Sequence, residues 1–358
     1  MEKTQKTALP KAALDCFKSI DKLNSDSTLL SENSLSTVTD WHDTGCMALN
    51  AILSGSLYGG VADSRVTGFV GPSATGKTYI VNKILAIAQR EKGLIPVIFD
   101  TEGAIDEGST RGVGLDPTRV KYVPVDTVED CRNQLCQFMD DVKAAGQQGK
   151  FIVSIDSLGN LSSAKELADI AKGKDAADMG LKAKALKSMM RNVTQKAQTS
   201  RTTILFTNHT YDDPSALFPK MQKNMSGGSG PLYMSSCVVQ LSRKEEKHNK
   251  DNENDEVIPE ANMYSGFTLG MLTTKNRFVP PFLKQEAYLN YKTGLDIYSG
   301  LKDMAVAHGV IMQDGSRNSL PDGTKLGYYK TWSQKQDVWD YILPKLEEKI
   351  KAVYKFGG

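Results

Sequence analysis

Cysteine is scarce in this 358-residue chain. Cys16, Cys46, Cys131, Cys136 and Cys237 are odd in number and form no Cys-x-x-Cys pair, so the sequence implies neither a disulfide framework nor a structural zinc site. Such usage fits a reducing cytoplasm best. Long apolar runs are missing as well. Nowhere do the about 18 consecutive apolar residues of a membrane span occur, and the N-terminal MEKTQKTALPKAALDCF holds no apolar stretch of signal-peptide length. The expectation is a soluble, cytoplasmic protein that does not engage a membrane. Net charge is nearly absent: 44 Lys and Arg stand against 42 Asp and Glu, a formal +2. A polyanionic partner would therefore have to meet positive charge gathered on particular loops and helix faces. No repeat of solenoid period is visible.

The remaining composition is that of a globular chain. Hydrophobic residues make up 40% and charged residues 24%, which excludes a wholly disordered or fibrous protein. Short runs rich in β-branched residues recur between segments of helical spacing: 65–70, 94–100, 120–125, 151–156 and 202–208. That alternation predicts βαβ units and a mostly parallel, buried sheet. From 237 onward the strands follow without helices (237–242, 267–275, 286–291), which predicts an antiparallel extension. Between the first two of these, RKEEKHNKDNENDE reads as a solvated hairpin loop. Residues 1–39 hold one short amphipathic stretch (Ala12, Ala13, Phe17, Ile20, Leu23) and a Ser/Thr/Asn-rich linker, an arm that needs another surface to bury its stripe. Residues 40–293 read as the core, and 294–358 as a small aromatic-rich C-terminal lobe.

Residues 71–78 read GPSATGKT (Gly71, Pro72, Ser73, Ala74, Thr75, Gly76, Lys77, Thr78), between an apolar strand and a helical stretch at 79–89. Glycines at the first and sixth positions let successive N–H groups turn inward around phosphate oxygens, at the positive end of the following helix. Lys77 supplies a point charge for the β- and γ-phosphates, and the Thr78 hydroxyl is a ligand for Mg²⁺. The strand FIVSIDS ends in Asp156, a second candidate for holding Mg²⁺. The strand at 94–100 runs into Glu102, either a carboxylate that holds attacking water or an ordinary surface acid. On the helix at 182–191, Lys184, Lys187 and Arg191 fall on one face, and Leu186, Met189, Met190 and Val193 on another. The basic stripe suits either plain solvation or consecutive phosphates.

The strings DTEGAID, DSLGNL, DMGLKAKALKSMMR, TNHTYDD, GGSGPLYMSS and TKNRF, in this order and spacing over residues 40–310, resemble the RecA family, and within it the phage recombinases of the UvsX type. The resemblance implies a RecA-like P-loop core using ATP and Mg²⁺. It implies a protein that forms helical filaments of itself on single-stranded DNA, pairs that strand with homologous duplex, and hydrolyses ATP to recycle. Single-strand-binding and mediator proteins would be further partners. By the same resemblance Glu102 activates the hydrolytic water and His209, commonly Gln in bacterial members, senses the γ-phosphate. Lys275 and Arg277 reach across the subunit interface to the neighbour's ATP, and Asp106 contacts the base. Where relatives stack an aromatic on adenine, this chain has Ser109. The helix at 182–191 then faces DNA, flanked by a loop at 162–178 with Lys165, Lys172 and Lys174. A second loop at 210–228 carries Phe218, Lys220, Met221, Lys223, Met225, Gly227 and Gly228, apolar groups to wedge beside bases and cations for phosphates. A hexameric ring helicase and a regulatory ATPase of the KaiC type share the nucleotide core and are the alternatives.

Overall fold

The structure, a computed structural model, describes residues 9–24, 26–30, 37–174, 179–212, 221–247 and 264–354. The chain divides into two compact units, residues 1–39 and 40–358. The first contains helix α1 (Lys11–Leu23), which starts after Pro10 and buries none of its residues. Leu14, Phe17, Ile20 and Leu23 are all exposed, Leu23 to 90%. Their spacing of three places them along one side of the helix, an apolar stripe without a core of its own.

In the second unit, β1 (Trp41–His42) and β2 (Val61–Ala62) form a small antiparallel pair around the buried helix α2 (Met47–Ser54). Alternating units then follow: β3 (Val66–Val70), α3 (Lys77–Lys92), β4 (Ile95–Asp100), α4 (Glu107–Gly112), β5 (Lys121–Pro124), α5 (Val128–Ala144), β6 (Phe151–Asp156), α6 (Ala164–Ile170), α7 (Met179–Thr199) and β7 (Thr203–Asn208). A short ladder of β8 (Thr210–Tyr211) with β9 (Asn224–Met225) and the turn of helix α8 (Gly230–Met234) lead into β10 (Cys237–Lys247), β11 (Tyr264–Asn276), β12 (Lys284–Asn290) and β13 (Gly294–Leu295). The main sheet has nine strands in the order β13-β12-β11-β10-β3-β7-β6-β4-β5. Pairs from β10 to β5 are parallel, and those from β10 to β13 antiparallel.

The strand sequences explain the sandwich. Phe69, Ile98, Ile152 and Leu205 point to the face covered by α2 and α3. Val66, Val97, Phe99, Val153, Ile155, Ile204 and Phe206 point to the face covered by α5 and α7. Strands apolar on both sides are what a parallel sheet between two helical layers requires. The expected helix face on α7 is also present: Leu186, Met189, Met190 and Val193 are buried, and Lys184, Lys187 and Arg191 are exposed. One reading needs correcting. RKEEK is not loop but the end of β10, paired from Arg243↔Leu269 to Lys247↔Tyr264. The charge density pointed to solvent, yet the ladder with apolar β11 decides the backbone; residues 248–263 lie outside the described residues.

Beyond β13 the chain forms α9 (Leu301–Ala307), a three-stranded sheet of β14 (Met312–Asp314), β15 (Arg317–Ser319) and β16 (Lys325–Tyr328), then α10 (Tyr329–Trp332) and α11 (Gln336–Val353). Trp332 and Trp339 are fully buried with ring centroids 5.4 Å apart, and Tyr298 stacks on Trp339 at 4.7 Å. Ile342, Leu346 and Ile350 of α11 join the same apolar cluster as α2 and α3. The Glu347 carboxylate accepts hydrogen bonds from Ser56 Oγ at 2.6 Å and Leu57 N at 2.7 Å. Among the described residues, no helix is long and apolar enough to cross a membrane. Because the tail shares one cluster with α2 and α3, Trp339→Ala is expected to cost about 3–5 kcal/mol. Denaturant unfolding should show this as a lower midpoint of the transition that also reports α2 and α3; a separate transition for the tail would contradict it.

Candidate functional site

The carboxyl ends of parallel strands are where connecting loops must turn and where backbone N–H groups of following helices become available. Here β3 ends at Val70 and the chain turns through 71–76 before α3 begins at Lys77. Gly71 N donates to Asn208 O at 3.1 Å, anchoring the turn to the end of β7. A Cβ on Gly71 would sit 2.6 Å from Leu241 O and 3.0 Å from Thr75 Oγ1, so no other residue fits. Gly76 is left-handed, with φ +81°. Pro72, Ser73 and Ala74 form an exposed crest over buried Gly71, Thr75 and Lys77. Lys77 Nζ donates to Gly71 O at 3.1 Å and Pro72 O at 2.8 Å. Burial pushes its ammonium pKa down, opposed by the carboxylates of Asp156 and Glu102.

Asp156, only 6% exposed, is held from two sides. Thr78 Oγ1 donates to Oδ2 at 2.6 Å, and Thr207 Oγ1 donates to Oδ1. Burial raises the Asp156 pKa, with the two hydroxyls opposing and the carboxylates of Glu102 and Asp100 adding to the rise. A hydroxyl and a carboxylate oxygen this close form the hard oxygen set that Mg²⁺ takes. The donor set therefore fits the metal that the sequence implies.

Glu102 stands on the turn after β4. Asp100, not singled out in the sequence, shapes that turn: its carboxylate accepts from the N–H groups of Glu102 (2.9 Å), Gly103 (3.0 Å) and Ile105 (3.3 Å) and from Tyr122 Oη (3.1 Å). Glu102 Oε1 accepts from Ser157 Oγ at 3.0 Å and Asn160 Nδ2 at 2.8 Å, and His209 Nε2 lies 3.6 Å away. The last distance is an electrostatic contact and not a hydrogen bond. Glu102, Asp156 and His209 thus arrive from the ends of β4, β6 and β7 beside the phosphate turn. Ser157, Asn160 and Thr207 were also missed; the only trace in the sequence was a polar residue within or just after an apolar strand.

Asp106 and Ser109 have a local role. They form the capping box of α4, with Ser109 N donating to Asp106 Oδ1 at 2.6 Å, and both are exposed. Nearer the phosphate turn, the guanidinium of Arg243 on β10 donates to Ala74 O at 3.1 Å and to Tyr291 Oη at 2.6 Å, 4.6 Å from the Phe267 ring centroid. This aromatic rim was not anticipated.

His209 leads directly into the second loop. Asn208 Oδ1 accepts from His209 N at 2.8 Å, Asn208 Nδ2 donates to Ser226 O at 2.9 Å, and Ser226 N donates to His209 O at 2.9 Å. The stem of that loop is therefore tied to the strand end that carries His209. Gly227 packs against α7 so closely that a Cβ would lie 2.2 Å from Leu186 Cδ1, which gives Gly227 a packing role; Gly228 likewise abuts Ala183. Met221 is 66% exposed, and Lys223 Nζ pairs with Asp212 at 3.1 Å. Met225, expected to wedge beside bases, is instead buried in the cluster under α7, because β9 turns it inward. Phe218 and Lys220 lie outside the described residues. In the first loop, α6 fills 164–170 with a Ser163–Glu166 capping box, and Lys165, Lys172 and Lys174 are exposed. Lys275 Nζ donates to the carbonyls of Leu232 (3.0 Å) and Tyr233 (2.5 Å) on α8. Burial and the neighbouring Arg277 push its pKa down to about 8.

A family model for the RecA N-terminal domain matches residues 11–296. The chain belongs to the RecA family. Among the RecA-family relatives it resembles, a protein named "Recombination and repair protein" from Enterobacteria phage T4 is 30% identical over 323 residues, 87% of this chain and 78% of the relative. "Protein RecA" of Borreliella burgdorferi strain ZS7 is 26% identical, covering 81% and 72%. "Protein RecA" of Paenarthrobacter aurescens strain TC1 is 28% identical, covering 79% and 74%. The motif resemblance, including its phage branch, is borne out. The match to that family model ends just after β13, before the aromatic tail.

The burial of the acid at the centre of this site is testable. The folded protein raises the Asp156 pKa, so the neutral acid's contribution to stability is full below the unfolded pKa and lost as pH rises through the folded one. Ionised Asp156 is then a net cost at neutral pH in the nucleotide-free protein. Asp156→Asn, whose amide still satisfies one Thr hydroxyl, is expected to melt higher than the parent at pH 7 and to converge with it below about pH 4. Equal melting at pH 7 would contradict the assignment of burial as the dominant cause.

Proposed function

We propose that this chain is an ATP-dependent strand-exchange recombinase that assembles on single-stranded DNA. The observation that carries the reading is the meeting of Glu102, Asp156 and His209 at the phosphate turn, with His209 in backbone continuity with a loop stem that packs on the basic helix α7. A γ-phosphate site and a cation-lined face are thus joined by one short piece of chain.

Each residue has a task in this reading. The N–H groups of 71–78 and the N-terminal end of α3 cradle the phosphates, and Lys77 turns from the Gly71 and Pro72 carbonyls to the β- and γ-oxygens. Thr78 and Asp156 hold Mg²⁺, which supplies charge neutralisation at the phosphates. Glu102, kept in place by Ser157 and Asn160, orients the water and accepts its proton as the bond to the leaving ADP breaks, giving ADP and phosphate. Tyr291, exposed and braced by Arg243, offers the aromatic face for the base that Ser109 does not. Lys275 and Arg277 reach the triphosphate of the next protomer and stabilise charge there, so nucleotide binds at the seam of a helical assembly. His209 passes the γ-phosphate state to the second loop. Lys184, Lys187, Arg191, Lys165, Lys172, Lys174 and Lys223 meet DNA phosphates, and Met221 meets bases; such contacts read backbone and not sequence. Duplex DNA, single-strand-binding proteins and mediators are the remaining partners.

Two results test this. In an ATPase assay followed by electron microscopy of the same sample, single-stranded DNA is expected to stimulate turnover and to yield helical filaments with a slowly hydrolysed ATP analogue. Lys77→Ala should abolish both; rings, or assembly that persists in Lys77→Ala, would refute the reading. The second concerns pH. A phosphate partner favours the charged form of Lys275, whose pKa in the isolated chain is pushed down to about 8. Assembly therefore takes up protons, and the protein concentration needed for filaments should rise as pH climbs above about 8. Lys275→Arg, which stays charged, should flatten that dependence; an unchanged slope would remove Lys275 from the seam.

A further inference from the structure

The turn after β6, residues 157–160, is touched by more of the working parts than any role above assigns to it. Ser157 and Asn160 both donate to Glu102 Oε1. Gly159 lies against the end of β7 and the stem of the second loop: a Cβ there would be 2.8 Å from Asn208 Oδ1 and 3.4 Å from both His209 Cδ2 and Ser226 Cβ. The Gly159 carbonyl accepts a hydrogen bond from Lys182 Nζ at 2.6 Å. Lys182 belongs to the first turns of α7 but not to its outer face. It stands four and seven residues before buried Leu186 and Met189, whereas Lys184, Lys187 and Arg191 occupy the exposed side. Its head is half-buried and its pKa is lowered by that burial, with Glu166 of α6 opposing. Removing an ammonium from water for one carbonyl is costly unless the bond is needed where it is. A charge-assisted bond to backbone is also stiffer than a packing contact.

We propose that Lys182 is a positioning residue: it ties the inner face of α7 to the Gly159 carbonyl, so that load placed on the basic outer face of α7 reaches Glu102 through Asn160. The proposal rests on the reading of Glu102 as the hydrolytic carboxylate and of α7 as the DNA face. In it, phosphates drawn to Lys184 and Lys187 move the first turns of α7 as a rigid piece. The Lys182 bond carries that displacement into the 157–160 turn, and the Asn160 amide shifts its hold on Glu102. This route runs beside the one through His209 and reaches the same turn from the other side.

The experiment compares ATP turnover with and without saturating single-stranded DNA in the full chain, with DNA affinity measured separately using a slowly hydrolysed analogue. Lys182→Met is expected to lower the ratio of stimulated to unstimulated kcat on the order of tenfold, the usual size of a coupling between sites. KM for ATP and affinity for DNA should stay near the parent values, and Lys182→Arg should restore the ratio. Asn160→Ala should lower the ratio as well, and the double variant should be no worse than either alone. A parent-like ratio in Lys182→Met overturns the proposal. So does a reduced ratio that recovers at higher DNA concentration, since Lys182 would then be a DNA ligand. If Lys182→Met does not fold, Asn160→Ala decides: a parent-like ratio in it overturns the proposal. A parent protein whose turnover does not respond to single-stranded DNA at all would instead sink the recombinase reading itself.

Discussion

The buried carboxylate of Asp156 is the constraint around which the site is arranged. It is removed from water at the end of β6 and held by hydroxyls from two other elements, Thr78 at the start of α3 and Thr207 on β7. Buried charge without a partner is costly, and hydroxyls compensate it only partly, which is why burial still raises the Asp156 pKa. An acid kept in this condition favours an incoming cation. The same geometry locks the ends of β6 and β7 to the start of α3, so His209 inherits its placement from it, while the Asp100 carboxylate fixes the turn that carries Glu102.

From that centre the structure extends in two directions. Toward solvent, the phosphate turn is fixed by Gly71 N to Asn208 O and by Arg243 to Ala74 O, and the aromatic pair Phe267 and Tyr291 stands beside it. Toward α7, the strand end at Asn208 and His209 fixes the loop stem, and the turn at Gly159 takes the Lys182 bond. Signals between a nucleotide and a distant polyanion need two-state elements that both ligands bias. The loop stem and α7 are the elements that join the strand end at His209 to the exposed basic stripe here. Lys275 adds a third tie, because its ammonium rests on α8, the helix that directly follows the second loop.

Much of this was legible in the chain. The β3–turn–α3 unit was readable because GPSATGKT demands a strand before it and a helix after it. The strands of the parallel sheet were readable because runs such as FIVSID and TILFTN are apolar on both faces. The basic and buried stripes of α7 emerge directly from helical spacing. What the chain concealed was contact at long separation. Nothing local marks Tyr291 as a neighbour of Arg243, 48 positions away, or Lys182 as a partner of Gly159. Asp100 looked like the last residue of a strand, although it organises the turn that carries Glu102. Charge density misled at RKEEK, where the ladder with β11 outweighs it, and an apolar Met225 in a loop-like string was turned inward by pairing with Thr210.

The most direct test of the account is a cryo-EM structure of the full chain assembled on single-stranded DNA with a non-hydrolysed ATP analogue. Triphosphate is expected on the 71–78 turn of one protomer, touched by Lys275 and Arg277 of the next, with Lys184, Lys187 and Arg191 lining the DNA. A triphosphate far from any subunit contact, or α7 turned away from the strand, would contradict it.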